Sequence, residues 1–241
     1  MAKDDEIAYL SRMGDEGRRH ALDKPWSDPA RGRYLQEFGA ILDVLPPAPA
    51  RVLDLGAGSG WTSCFLACGG YSVTSTDIAP DMVELQRLNA NRYGAPLEAA
   101  VVCDFESLPF ESEFDAVLFY DCLHHAEDEV RALRSAHRAL KPGGVCITLE
   151  PGRGHARAHH SVTARALYGT NERDMPPSTI LRAARQVGFA RHAVYSRPPP
   201  TMMLTRGRWP RPSVLVPLIT QLVMRATPLA MTRGHLVVLT K

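Results

Sequence analysis

The stretch Arg51-Val-Leu-Asp-Leu-Gly-Ala-Gly-Ser-Gly60 decides the fold. Val52 to Asp54 reads as the end of a short buried strand, the glycines at 56, 58 and 60 turn the chain tightly, and Trp61 to Cys68 continues as a helix. A turn without Cβ atoms lets a ligand approach the backbone closely. The amides that open the helix favour a polar or anionic group there. Working outward, the run Tyr71-Ser-Val-Thr-Ser-Thr-Asp77 predicts a second strand that ends in a carboxylate. Its distance from the turn suits an acid accepting hydrogen bonds from ribose hydroxyls. A third strand over 98–103 ends in Asp104-Phe105, a pair that can hydrogen-bond to a purine ring and cover it. The fourth, Phe114-Asp-Ala-Val-Leu-Phe-Tyr120, runs into Asp121-Cys-Leu-His-His125. A fifth, Gly144 to Glu150, follows the helix-ending turn Leu140-Lys-Pro-Gly-Gly144. Helices predicted over 61–69, 80–93 and 127–140 alternate with these strands, as a parallel sheet with crossover helices requires.

Over residues 50–150 these motifs, in this order, resemble the class I S-adenosylmethionine-dependent methyltransferases. Leu123-His-His125 resembles the ubiquinone-biosynthesis type that acts on small molecules. The resemblance implies an α/β, Rossmann-like sheet of seven mostly parallel strands with helices on both faces. It also implies an N-terminal helical cap over the cleft, and S-adenosyl-L-methionine as cofactor. By position, Asp54 matches the acid that orients the methionine ammonium, and Gly56, Ala57, Gly58 and Gly60 match the turn beneath the carboxypropyl group. Asp77 matches the ribose acid with Ile78 on the adenine face, and Asp104 and Phe105 match the adenine-recognising pair. The third glycine falls at Gly60, whereas a dinucleotide fingerprint wants it at position 61, occupied by Trp61. That spacing counts against the alternative of a nicotinamide-dependent reductase. A non-catalytic cofactor-binding or partner module stays open, because a pseudoenzyme can keep its ligand.

Methyl transfer from a sulfonium needs donor and acceptor held in line, water excluded and any acceptor proton removed. Tyr120-Asp-Cys-Leu123 lacks the Asn-Pro-Pro-Tyr pattern of enzymes acting on amides or exocyclic amines, which favours an oxygen acceptor. His124 and His125 are the candidate catalytic bases, since an imidazole titrates near neutrality. In the competing reading one of them, His125 first, packs under the cofactor as a structural hydrogen-bonder. Tyr120, Asp121, Glu150 and His155 are expected at the same sheet edge, Tyr120 toward the cofactor and the others toward the substrate. Trp26, in Lys24-Pro-Trp-Ser27, either lines the cleft mouth or staples a helix. His155, His159 and His160 invite a metal reading, but no carboxylate or thiol stands near them at ligand spacing, so no metal site is expected.

At 241 residues the chain suits one domain: an N-terminal cap over 1–49, the cofactor core over 50–150 and a substrate-side half over 151–241. Residues 1–24 carry a loose amphipathic period, and Asp28-Pro29 predicts a second helix, N-capped by the carboxylate and running to Leu45. Five cysteines without metal-type spacing argue for a reducing compartment, and the absence of a signal or spanning segment predicts a cytoplasmic protein. No Asp or Glu follows Asp174, while that part of the chain holds ten Lys and Arg; the part before it carries a net −8. Such asymmetry hints at an anionic partner. No base-binding motif accompanies it, so no nucleic acid is expected, and the partner is a small-molecule substrate, anionic or amphipathic. After 151–176, a linker, the sequence predicts a helix Ser178 to Val187, a strand His192 to Ser196 and a last strand His235 to Thr240. Residues 198–234 are then an insertion, rich in apolar residues and arginine, expected to cover the substrate. Other readings are a homodimer surface, peripheral lipid contact or an inert addition to the core.

Overall fold

The computed structural model describes residues 2–198 and 235–241. The expected insertion, apart from Pro198, lies outside the described residues. Seven strands form one sheet: β1 (Arg51–Leu55), β2 (Ser72–Asp77), β3 (Ala99–Val102), β4 (Phe114–Tyr120), β5 (Leu140–Glu150), β6 (Arg191–Ser196) and β7 (His235–Thr240). Their order is β3-β2-β1-β4-β5-β7-β6. β1 to β5 pair in parallel, and β7 alone runs against its neighbours β5 and β6.

Alternate residues of a strand face opposite sides, and here both sides are apolar, as a sheet covered on both faces demands. Ala116 and Leu118 join one core with Phe38, Ile41, Trp61 and Leu66; Val117 and Phe119 join the other with Leu133, Ala136 and Ile180. The covering helices are α2 (Arg31–Leu42) and α3 (Trp61–Cys68) on the first side, and α5 (Glu129–Ala139) and α7 (Pro177–Val187) on the second. Sequence chemistry sets their ends. α4 (Pro80–Tyr93) starts on a proline whose missing N–H is no loss there, and stops at Gly94 in the left-handed region. Asp128 caps α5 by accepting from the amides of Val130 (2.8 Å) and Arg131 (3.1 Å).

Several boundaries differ from expectation. Asp28 takes the amide of Ala30 at 2.7 Å, closing a local turn, so α2 begins at Arg31 and ends at Leu42. Lys141 to Gly144 is not a turn outside the sheet but an outward loop within β5. Leu140 pairs with Phe114 and Val145 with Ala116, so the intervening residues have no register partners on β4. The stretch 151–176 contains a helix, α6 (His159–Tyr168), where a linker is predicted. At the N-terminus α1 (Ala2–Leu22) is interrupted by Gly14 at φ 66°, ψ −164°. Among the described residues no helix is long and apolar enough to cross a membrane.

Candidate active site

Strand order reverses between β1 and β4, and the crevice outside the carboxyl ends at such a point is where open α/β sheets bind ligands. A cleft of about 660 Å³ opens there, within the ~300–1,000 Å³ usual for small-molecule sites. It has a side toward β1–β3 and a side toward the loop after β4, and α1 lies along both.

On the first side, Asp54 is 1% exposed. Its Oδ2 accepts from Thr62 Oγ1 and Ser63 Oγ, each at 2.6 Å, while its Oδ1 has no partner among the described residues. Burial pushes this carboxyl up to about 6 against the pull of the Ser63 and Thr62 hydroxyls. An anionic oxygen with unspent acceptor capacity faces a cleft, which is the complement of an ammonium. Asp77 also stands at about 6 through burial, opposed by the amides of Ala79 and Gly58, which donate to its Oδ1 and Oδ2 at 2.9 Å. Asp77 therefore braces the glycine turn as well as offering its remaining lone pairs to the cleft. A Cβ on Gly58 would meet nothing within 4 Å, so the space above that residue is free for a ligand. Ile78, Met82 and Phe105 supply apolar walls. Asp104 spends Oδ1 on the amide of Glu106 (2.8 Å), and its Oδ2 pairs with Lys3 of α1 at 2.6 Å.

The second side is organised by Glu150. Its carboxylate accepts from the amides of Cys122 (3.1 Å), Leu123 (2.8 Å) and His124 (3.2 Å), and meets His124 Nδ1 at 2.8 Å. Asp121, at φ 56°, makes the tight turn that brings those amides round. His124 is 3% exposed, with Nε2 directed to Glu172 Oε2 at 3.7 Å. His125 Nδ1 meets Glu6 of α1 at 3.1 Å. Burial alone would lower the His125 imidazole, but the Glu6 bond and the neighbouring carboxylates raise it to about 9, so it is a cation at neutral pH. Burial would raise the Asp121 carboxyl, yet the fields of His124, Arg197, Lys24 and His125 bring it below the usual range. His155 Nε2 lies 2.7 Å from Glu172 Oε2. Tyr120 donates its hydroxyl to the buried Glu37 of α2 (2.7 Å), which Arg197 also contacts through Nε at 2.6 Å.

The cleft thus brings together Asp54, Gly56, Ala57, Gly58, Asp77, Ile78, Asp104, Phe105, Tyr120, Asp121, His124, His125 and His155. Three expected site residues lie elsewhere. Trp26 is 50% exposed and leans on Phe65, because the chain reverses after α1 and turns it outward. Gly60 packs against α4: a Cβ there would sit 2.9 Å from Gln86 Cγ and 3.2 Å from Gln86 Cα. Glu150 is occupied beneath the loop after β4 rather than facing the substrate. Conversely, the cleft includes Lys3, Glu6, Trp61, Thr62 and Glu172, which the motifs do not single out. Thr62, the second residue of the helix that follows the glycine turn, is within reach of the sequence; Lys3, Glu6 and Glu172 arrive only through tertiary closure.

Fold and site together resemble those of the class I, S-adenosylmethionine-dependent methyltransferases. Residues 53–148 match the methyltransferase domain family. The ubiquinone biosynthesis O-methyltransferase of Xanthomonas oryzae pv. oryzae is 39% identical over 138 residues, 54% of this chain and 51% of that one. The chain thus spans about half the length of the curated relatives it matches. Among solved structures, an S-adenosylmethionine-dependent methyltransferase from Mesorhizobium loti superposes with a TM-score of 0.62 at 22% identity, covering 86% of this chain and 98% of that one. Phosphoethanolamine N-methyltransferase 2 of Haemonchus contortus, solved with S-adenosyl-L-methionine, gives 0.65 at 20% identity over 100% of this chain and 59% of that one. At such identities these structures show the shared fold.

Proposed function

We propose that the chain transfers the methyl group of S-adenosyl-L-methionine to a hydroxyl oxygen of a small molecule. The observation that carries this is the buried Asp54 with its unpartnered Oδ1 beside a glycine turn that has room for a ligand. Asp54 would hold the methionine ammonium, Asp77 the ribose hydroxyls, and Ile78, Met82 and Phe105 the adenine. The cofactor supplies an electrophilic methyl on sulfur. The chain's residues orient it, keep water from the sulfonium and receive the acceptor's proton at His124 beside Glu172, because His125 already carries a proton on both nitrogens. The name borne by the Xanthomonas relatives supports oxygen as the acceptor atom. Tyr34, Trp61 and Tyr120 along the cleft give an acceptor ring flat surfaces to pack against. Calorimetry with S-adenosylhomocysteine, followed by detection of its release with a panel of phenolic acceptors, tests the reading. Binding in the micromolar range with acceptor-dependent release is expected. No binding by the folded protein, or binding of NADH in its place, overturns it.

A further inference from the structure

The glycine turn has one donor left over. Among the described residues the amides of Ala57, Gly58 and Gly60 donate to Thr76 O (2.8 Å), Asp77 Oδ2 (2.9 Å) and Ala57 O (2.9 Å), and the Ser59 amide alone in 57–60 has no partner. Both peptide planes flanking Ser59 are held from behind by α4. Gln86 Nε2 donates to Gly58 O at 3.0 Å, and Asn89 Nδ2 donates to Ser59 O at 2.9 Å. Three residues apart on one helix, these carboxamides share a face, and the missing Cβ of Gly60 lets that face come close. Both side chains are fully buried, and Gln86 Oε1 and Asn89 Oδ1 have no partner among the described residues. Burying a half-satisfied carboxamide costs stability that a leucine there would not. What the pair provides instead is direction. Across a trans peptide the carbonyl and the following amide point opposite ways. With Gly58 O fixed on α4, the Ser59 N–H is aimed away from that helix, into the cleft that Gly58 and Ser59 line.

We propose that the Ser59 N–H binds the carboxylate at the methionine end of the cofactor, and that Gln86 and Asn89 are the positioning residues that aim it. A zwitterionic amino acid needs an acceptor for its ammonium and a donor for its carboxylate. Asp54 Oδ1 is the unpartnered acceptor and Ser59 N–H the unpartnered donor, and both residues line the same cleft beside the open space above Gly58. An amide whose peptide plane is fixed beforehand needs no reorientation when the ligand arrives, so its hydrogen bond goes fully into affinity. Without the brace, the freedom of Gly58 lets the plane turn over. A carbonyl oxygen would then face the carboxylate, and the contact would repel instead of bind. The ligand assignment rests on the methyltransferase reading above; the aiming of the amide does not.

The test compares S-adenosylhomocysteine with its decarboxylated analogue, which keeps the ammonium and lacks only the carboxylate, by calorimetry on the whole chain. The wild type should prefer S-adenosylhomocysteine by about 10-fold or more, the worth of one hydrogen bond to a charge. Gln86→Met keeps the side-chain length and loses the donor, and Asn89→Leu does the same for the second plane. In each, that preference should fall to about twofold or less while the analogue's affinity stays level. A merely structural role would weaken both ligands alike and keep the preference. By NMR, the Ser59 amide proton should move downfield on binding S-adenosylhomocysteine and not on binding the analogue. If Gln86→Met does not fold, Asn89→Leu serves in its place, and the wild-type comparison stands by itself. Equal affinity of the wild type for the two ligands, or an unchanged preference in folded variants, overturns the proposal and leaves the methyltransferase reading intact. A wild type that binds neither ligand removes that reading and the ligand assignment with it.

Discussion

Asp54 and Glu150 make an instructive pair. Both are acids at or near the carboxyl end of a central strand, both are 1% exposed, and the sequence offers both as ligand-facing groups. Glu150 has every oxygen engaged, by three amides and an imidazole, whereas Asp54 keeps one oxygen without a partner. Position on the strand is therefore not what makes a site acid. Unspent hydrogen-bonding capacity is. A buried carboxylate fully supplied by its own protein shapes the loop above it, and one left short is poised for a ligand.

The comparison breaks or sharpens under substitution. Glu150→Ala should be the most damaging change, because it strands three amides and the His124 ring in the interior; a loss of about 3–5 kcal/mol is expected. Urea unfolding showing a near-neutral effect would return Glu150 to the list of substrate ligands. Asp77 is the intermediate case. Asp77→Ala should cost about 1–3 kcal/mol of stability through the freed Gly58 and Ala79 amides. It should also weaken cofactor binding by about 1.5–3 kcal/mol, the range for hydrogen bonds to a charge. Asp54→Asn should show the binding loss alone, again about 1.5–3 kcal/mol. Thermal melting of its apo form should be level with wild type or higher, since an isolated buried charge is removed. A clear drop in melting temperature would mean that Asp54 is structural after all.

A pH titration probes the same contrast more gently. Both Asp54 and Asp77 stand at about 6 in the folded protein against an ordinary 3.8. Folding therefore takes up protons between those values, and their contribution to apo stability is present at the acid end and lost as pH rises through about 6. Cofactor binding has the opposite sign, because an ammonium and hydroxyl donors require the ionised carboxylates. Affinity for S-adenosylhomocysteine should be level above pH 7 and fall below about 6, by up to roughly tenfold per pH unit for each acid. A flat profile from pH 7.5 to 5 would contradict the assignment of both acids.

The cofactor half was largely legible in the sequence because its residues sit at strand ends and in one glycine turn, each fixed by local pattern. β4 and β7 have their predicted limits, and α4 begins and ends on its proline and glycine. Gly60 was misplaced because a glycine needed for helix packing looks the same in sequence as one needed for a ligand. The acceptor half was less legible. Glu172, Glu6 and Lys3 carry no local signature, and α6 starts after Ala158 with no capping side chain to mark it. Trp26 and Trp61 illustrate the difference. Both are aromatic and near the cleft in sequence terms, yet only Trp61, on the helix after the glycine turn, is held at the site.

The ion pair between Lys3 and Asp104 carries a further consequence. Asp104 Oδ2 already accepts an ammonium from the same chain at 2.6 Å, so an adenine amine reaching for that oxygen meets a tethered rival. The observed affinity is then the intrinsic one scaled by the fraction of chains in which Lys3 has let go. The two side chains are 28% and 23% exposed, so the rivalry is worth about 1 kcal/mol at most and softens with salt. Lys3→Met should accordingly tighten cofactor binding a few-fold at low ionic strength and leave it unchanged in high salt. The N-terminal helix would then set how the chain's cofactor affinity responds to its ionic surroundings without touching the reacting atoms.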